Sequence, residues 1–160
     1  MAQRRPRPPV DEFNAEQYKA AAQGHAETLQ RLYELGYYVL ATYVSGVAVE
    51  SILRAYRCRL NPEFDSRHDL HHLANICGIK ESLRPQEIVE FTAAVNDVAY
   101  RWTNNHRYRS LAGLRSFFRA TRLHYGIRGD FVKENARRAV SGAVKAVTIG
   151  VEQWTKSSKN

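Results

Sequence analysis

The fold of this 160-residue chain is decided by residues 37–60, which read YYVLATYVSGVAVESILRAYRCRL. Apolar residues lie on every side of the helix that this stretch predicts, and such a helix belongs at the centre of a bundle. Glu50 is its only charge before Arg54. Because a carboxylate so close to a core needs a partner, we expect an ion pair with an arginine from another helix. The alternative is that Glu50 orients a functional arginine.

Outward from this stretch, apolar residues recur at steps of three and four on both sides, which predicts further helices. Pro85 suits the first turn of one helix, and Ser110 suits the N-cap of another. No strand pattern, repeat or glycine-rich phosphate loop is visible. The sequence therefore predicts an all-α, up-and-down bundle of about five to six helices. The helices besides the central one are expected at about 13–36, 68–78, 85–103, 110–125 and 130–154.

The ends of the chain differ from its middle. Residues 1–10 are basic and rich in proline, which predicts a disordered tail. Residues 11–155 have the length and composition of a single helical domain. Residues 156–160 are expected to fray.

The composition favours a polyanionic partner inside the cell. The formal net charge is +8 and the pI is about 9.7, which suits nucleic acid or nucleotides. The alternative is a basic protein without such a partner. The longest uncharged run, residues 35–49, is shorter than the ~20 residues that cross a bilayer, so no membrane partner is expected. Two cysteines and no visible signal peptide predict reduced thiols and a cytoplasmic location.

Three residues in the segment RWTNNHRYR, residues 101–109, could cut RNA without a metal. His106 could move a proton near neutral pH, Arg101 could grip phosphate, and Tyr108 could donate a hydrogen bond or stack on a base. In one continuous helix, Arg101 and His106 would point about 140° apart. They converge only if the helix ends at Asn104 and Asn105, and a symmetric dimer would help. The alternative is an exposed pair of Arg101 with Asp97, with His106 packed against a backbone carbonyl.

Arginine is the only charged residue type between Val98 and Gly129. This segment holds seven arginines, with tyrosine and tryptophan interleaved. Guanidinium groups match phosphate geometry, and aromatic rings stack on unpaired bases. The alternative is a solvated helix face beside core aromatics. The phosphate- or RNA-binding candidates are Arg107, Arg109, Arg115, Arg119 and Arg122.

Three histidines stand close together at positions 68, 71 and 72. Only His68 and His72 have a helical ligand spacing, and no cysteine or carboxylate completes a zinc pattern. We therefore expect neither a metal nor a cofactor.

The spacing Arg101-x4-His106-x-Tyr108 resembles the motif of HEPN domains, in the form found in toxins of bacterial toxin–antitoxin pairs. Residues 46–53, followed by His68-Asp-Leu-x-x-Leu73, resemble the helix pair that precedes this motif. The resemblance covers about residues 15–150. It implies a helical bundle that is usually dimeric, with two motifs facing each other across the dimer.

The resemblance also implies a function and its residues. Active members are metal-independent endoribonucleases, so Arg101, His106 and Tyr108 would form the catalytic set, with Tyr108 in a supportive role. Glu50 in the central helix and Asn105 at the helix break are the supporting candidates that the residues themselves suggest. The expected substrate is single-stranded RNA, and the expected role is that of a toxin or defence component. The chain would form a homodimer, and its further partner would be an antitoxin or a nucleotidyltransferase. Many active members, however, have a polar residue where this chain has Trp102. The alternative is therefore a catalytically inactive module that binds a nucleotide, RNA or a protein.

Overall fold

The computed structural model describes residues 13–61, 63 and 67–159, and these residues form six α-helices and no strand. The predicted all-α bundle is thus confirmed. Two short 3-10 turns, Ile79–Ser82 and Asn104–Tyr108, stand before and after the fourth helix, and we call the second one the motif turn. The helices are α1 (Ala15–Glu34), α2 (Tyr38–Leu60), α3 (Leu70–Ile76), α4 (Pro85–Ala99), α5 (Leu111–Ala120) and α6 (Phe131–Ser157).

The helices begin where the chain supplies capping groups. Asn14 and Gln17 form a reciprocal capping box at α1, and Pro85 occupies the first turn of α4 as expected. The Ser110 side chain accepts from the backbone N–H of Gly113, which confirms the predicted N-cap of α5. Helix α6 continues through Ser157, beyond the expected end near Trp154. The tail predicted at residues 1–10 lies outside the described residues.

Helix α2 lies at the centre, packed against α1 and α6, with α4 completing the main core. Close approach of α6 depends on glycines: a Cβ on Gly150 would lie 2.5 Å from Ile52 of α2. A separate small cluster of Leu114, Phe118 and Val132 anchors α5 to the start of α6. Because α5 buries only this narrow stripe, its arginines are left at the surface.

Glu50 is buried, and its partner differs from the prediction. Its carboxylate accepts from Nε of Arg54 at 2.7 Å and from Nδ1 of His68 at 2.9 Å. The expectation of an arginine from another helix was wrong, since Arg54 lies one turn further along α2. Side chains four residues apart on a helix are neighbours, so this pair forms within α2 itself.

The three clustered histidines turn to three different partners. His68 binds Glu50, His71 donates to the side-chain oxygen of Asn96, and His72 accepts from Arg67. Within residues 13–61, 63 and 67–159, no three histidine, cysteine or acidic side chains are grouped so as to hold a metal ion. No helix of the described residues has the length and apolar character needed to cross a bilayer.

Candidate nucleic-acid interface

The helix break beside Arg101 comes earlier than the asparagines predicted. Helix α4 ends at Ala99, and the backbone N–H of Arg101 donates to Val98 in a tightened last turn. Thr103 is extended, and Asn104 and Asn105 then begin the motif turn instead of ending a helix. The break nevertheless brings the two motif residues together, because His106 folds back to the backbone of Arg101.

His106 is only 1% exposed, and both of its ring nitrogens are occupied. Nε2 donates to the backbone oxygen of Arg101 at 3.0 Å, and Nδ1 accepts from the hydroxyl of Thr103 at 2.9 Å. The ring also meets Phe117 edge-on, with 4.7 Å between centroids. Burial, together with the charge of Arg109, lowers the pKa of His106 to about 4. The imidazole is therefore neutral at pH 7, with no nitrogen left for a substrate.

Arg101 is buried too, and its guanidinium is held from two sides. Nε donates to the side-chain oxygen of Asn135 at 2.9 Å, and Nη1 donates to the backbone oxygen of Asp97 at 2.8 Å. The predicted pair with the Asp97 carboxylate is present but long, at 3.4 Å. Burial lowers the pKa of Arg101, but not enough to discharge a guanidinium. The chain thus keeps a largely buried cation with one distant carboxylate.

Asn135 is the residue that sequence reasoning missed. It is fully buried on α6, and besides accepting from Arg101 it donates to the backbone oxygens of Leu123 and Phe131, at 2.9 and 2.8 Å. One side chain therefore ties the end of α4 to the loop before α6. The available signal was an asparagine next to Ala136 in the apolar stripe of α6.

Trp102 has a structural role that explains its place in the motif. Its indole is buried over Gly46 of α2, and its N–H donates to the backbone oxygen of Tyr43 at 3.0 Å. A Cβ on Gly46 would lie 2.1 Å from the indole. The tryptophan therefore fixes the start of the motif to the central helix, while Asn135 orients the arginine.

We expect Gly46→Ala to lower the free energy of unfolding by about 1–2 kcal/mol, measured by urea denaturation. Overpacking against the indole costs about 1–3 kcal/mol, and the better helix propensity of alanine returns up to about 1 kcal/mol. The control is Gly24→Ala in α1, where a Cβ would meet nothing within 4 Å, and this variant should gain stability. Equal gains in both variants would contradict the close contact between Trp102 and α2.

The six arginines between His106 and Gly129 form what we call the arginine band: Arg107, Arg109, Arg115, Arg119, Arg122 and Arg128. None of them makes an ion pair within the part of the chain that the structure describes. Four of them instead lie over aromatic rings: Arg107 over Tyr108, Arg109 over Phe117, and both Arg115 and Arg119 over Phe131. Their positive charges are therefore ordered but not neutralised.

The remaining candidates lie at the surface. Tyr108 is 77% exposed beside Arg107, and Asn105 is exposed at the rim of the motif turn. The carboxylate of Glu50 binds Arg54 and His68 and makes no hydrogen bond to the motif residues. The structure thus brings Arg101 and His106 together and leaves Tyr108 with the arginine band.

In a comparison with known families, residues 15–154 match the model described as the HEPN domain. The protein belongs to the HEPN family. No curated protein and no solved structure matches the chain. In this HEPN domain, the motif arginine and histidine are both buried, whereas Arg107, Arg119, Arg122 and Arg128 of the arginine band are exposed.

Proposed function

We propose that this HEPN domain binds single-stranded RNA through the arginine band. The observation that carries the proposal is six arginines without a carboxylate partner among the described residues. Elsewhere on the surface, Arg84, Arg137 and Arg138 are paired with glutamates, and Arg31 has no carboxylate partner among the described residues. The band is therefore distinguished by the grouping of its unpaired arginines within residues 107–128. Cations left without partners in the fold are available to displace the counterions of a phosphate backbone.

The aromatic residues of the band favour a single strand over a duplex. Tyr108 and Tyr125 are 77% and 69% exposed, although burial of a tyrosine ring normally stabilises a fold. Exposed rings beside arginines offer stacking surfaces for bases, and such stacking requires bases that are not already paired. Phe131 serves the band differently, because it lies under the guanidiniums of Arg115 and Arg119 and orders them.

The second candidate is a metal-independent endoribonuclease. It is favoured by the contact of 3.0 Å that joins the His106 ring to the backbone of Arg101. As a proton carrier, His106 would have to release Thr103 or Arg101 and reach the surface, and Tyr108 would have to turn toward the same phosphate. The buried guanidinium of Arg101 would also have to become accessible, and it would then stabilise the charge of the transition state. Dimerisation and an antitoxin or nucleotidyltransferase partner remain predictions.

We expect Arg115→Gln/Arg119→Gln to weaken binding of single-stranded RNA at least tenfold. The double variant should also lower the slope of log Kd against log salt by about 1.4, because each phosphate contact contributes about 0.7 for single strands. Fluorescence anisotropy with 2′-O-methylated oligouridine measures binding and blocks attack by the 2′-hydroxyl. The control is Arg31→Gln/Arg84→Gln, which removes two exposed arginines outside the band. Equal losses in both double variants would mean that only net charge matters, and the proposal would fail.

The two candidate functions separate in a cleavage assay with unmodified, 5′-labelled RNA in EDTA at pH 7. A binding module leaves the RNA intact. An endoribonuclease gives 2′,3′-cyclic phosphate ends, and both Arg101→Ala and His106→Gln lose them while remaining helical by circular dichroism. Cleavage that persists in His106→Gln would exclude this histidine as the proton carrier.

A further inference from the structure

The outer face of α6 connects the arginine band to a groove on the other side of the bundle. Residues at steps of three and four form one stripe along this face, and we call it the α6 stripe: Phe131, Glu134, Arg138, Ser141 and Lys145. Its first residue lies under Arg115 and Arg119, and its last two residues line the groove. The stripe spans about 21 Å at the helical rise of 1.5 Å per residue.

The groove lies between α1 and α6 and has a volume of about 440 Å³, which is in the range of sites for small organic molecules. Its apolar surface comes from Tyr33 of α1 and from Val140 and Val144 of α6. Its polar groups are the amide of Gln30 and the hydroxyl of Ser141. An aromatic ring opposite two valines, with an amide and a hydroxyl nearby, suits a flat and polar-edged group such as a nucleobase.

The cations at the groove are held in place by glutamates, but their charges and hydrogen-bond donors are not all used. Arg137 donates through Nε and Nη2 to Glu134, both at 2.8 Å, and Nη1 makes no hydrogen bond to a described residue. Glu134 also accepts from Arg138 at 2.8 Å, so one carboxylate serves two guanidiniums and leaves one positive charge over. Lys145 is paired only loosely, with 3.4 Å to Glu90.

The guanidiniums of Arg137 and Arg138 are both exposed, and they share the single carboxylate of Glu134. Their surplus positive charge attracts a phosphate. Arg138 belongs to the α6 stripe and Arg137 lines the groove, so this pair stands where the stripe meets the groove.

We propose that the RNA strand held by the arginine band continues along the α6 stripe. One nucleotide of this strand, beyond the arginine band, places its base in the groove between α1 and α6. This inference rests on the proposed function. The phosphate of that nucleotide lies against Arg137 and Arg138, and its base lies against Tyr33 and Val144. The α6 stripe is too polar and charged to form an apolar helix–helix interface. This favours an RNA strand over a second copy of the protein as its partner.

The test is a length series of 2′-O-methylated oligouridines of 4, 8, 12 and 16 nucleotides, measured by anisotropy. Val144→Trp fills the groove from a position that is 38% exposed, so the fold can accept it. Arg137→Gln removes a guanidinium that lines the groove and keeps the apolar surface of Tyr33, Val140 and Val144. We expect both variants to bind the 4-mer as the wild type does, and to bind the 12-mer and 16-mer about fivefold or more weakly.

The matched control is Arg84→Gln, because Arg84 is also exposed and paired with a glutamate three residues away at 2.8 Å. It should bind every length as the wild type does. If both groove variants match the control at every length while Arg115→Gln/Arg119→Gln still weakens binding, the groove inference is wrong and the proposed function stands. If no length binds the wild type, the proposed function itself fails. If Val144→Trp only converts a dimer to a monomer in light scattering, the groove is a contact between copies and the inference is overturned.

Discussion

Lowering the pH from 7 to 4 is expected to reduce the free energy of unfolding by about 3 kcal/mol through His106 alone. The pKa of this histidine is lowered to about 4 in the folded protein, from an ordinary value of 6.5. Between these values the unfolded chain binds the proton and the folded protein does not. Stability therefore falls with decreasing pH by about 1.4 kcal/mol per unit in that window. Above pH 6.5 and below pH 4 this group contributes no further change.

The measurement is urea denaturation at several pH values in the wild type and in His106→Gln. The variant should lose stability at pH 7 but show a flatter pH dependence, because glutamine cannot take up the proton. The control is His71→Gln, which removes an exposed histidine and should keep the wild-type slope. Parallel profiles for the wild type and His106→Gln would mean that the ring titrates near its ordinary pKa. A ring that titrates there would favour the endoribonuclease.

The lowered pKa of His106 also explains why the structure suits RNA binding better than RNA cleavage. General acid–base catalysis works best when the pKa of the catalytic group lies near the working pH. A histidine with a pKa of about 4 is a weak base at pH 7, and its ring here is enclosed by Thr103, Phe117 and the backbone of Arg101. Catalysis thus needs a different position of the motif turn, whereas binding by the arginine band needs none.

Much of the fold was visible in the sequence because it depends on local patterns. The apolar stretch around Val49 predicted the central helix, and the N-cap at Ser110 and the proline at Pro85 predicted helix starts that the structure confirms. The family was visible for a similar reason, since the spacing from Arg101 to Tyr108 is a short continuous pattern. Such features require no knowledge of which helices meet.

The errors arose where tertiary contacts override a local preference. Asn104 and Asn105 tolerate the conformation that ends a helix, but α4 ends earlier because Trp102 packs on Gly46. The partner of Glu50 was a different kind of error: the spacing of four to Arg54 was available in the sequence and was overlooked.

Asn135 could not have been assigned from the sequence. A lone asparagine in an apolar stripe signals a buried hydrogen bond, but its partners Arg101, Leu123 and Phe131 are set by how α4 and the loop before α6 meet. The role of Arg101 depends on this contact. Without it, a guanidinium on the last turn of a helix would be expected to point into solvent.

Asn135→Leu is therefore expected to be the most damaging single change, with a loss of about 4 kcal/mol in the free energy of unfolding. Leucine has the same number and branching of side-chain heavy atoms, so the loss comes from polar groups and not from a cavity. The change leaves the Nε of Arg101 and the backbone oxygen of Leu123 without a partner, and the backbone oxygen of Phe131 keeps only its helical hydrogen bond. Each such group costs about 1–3 kcal/mol, and the charged one costs most.

Urea denaturation tests this prediction, with Asn75→Leu as the control. Asn75 is exposed on α3, where its side chain only accepts from Lys80 at 3.3 Å, so the same substitution there should change stability by less than about 0.5 kcal/mol. A double-mutant cycle with Arg101→Met then isolates the contact. Once the buried charge is gone, Asn135→Leu should cost at least about 1 kcal/mol less than in the wild type. Strict additivity would show that Asn135 supports only the loop before α6 and that Arg101 is positioned by Asp97 alone.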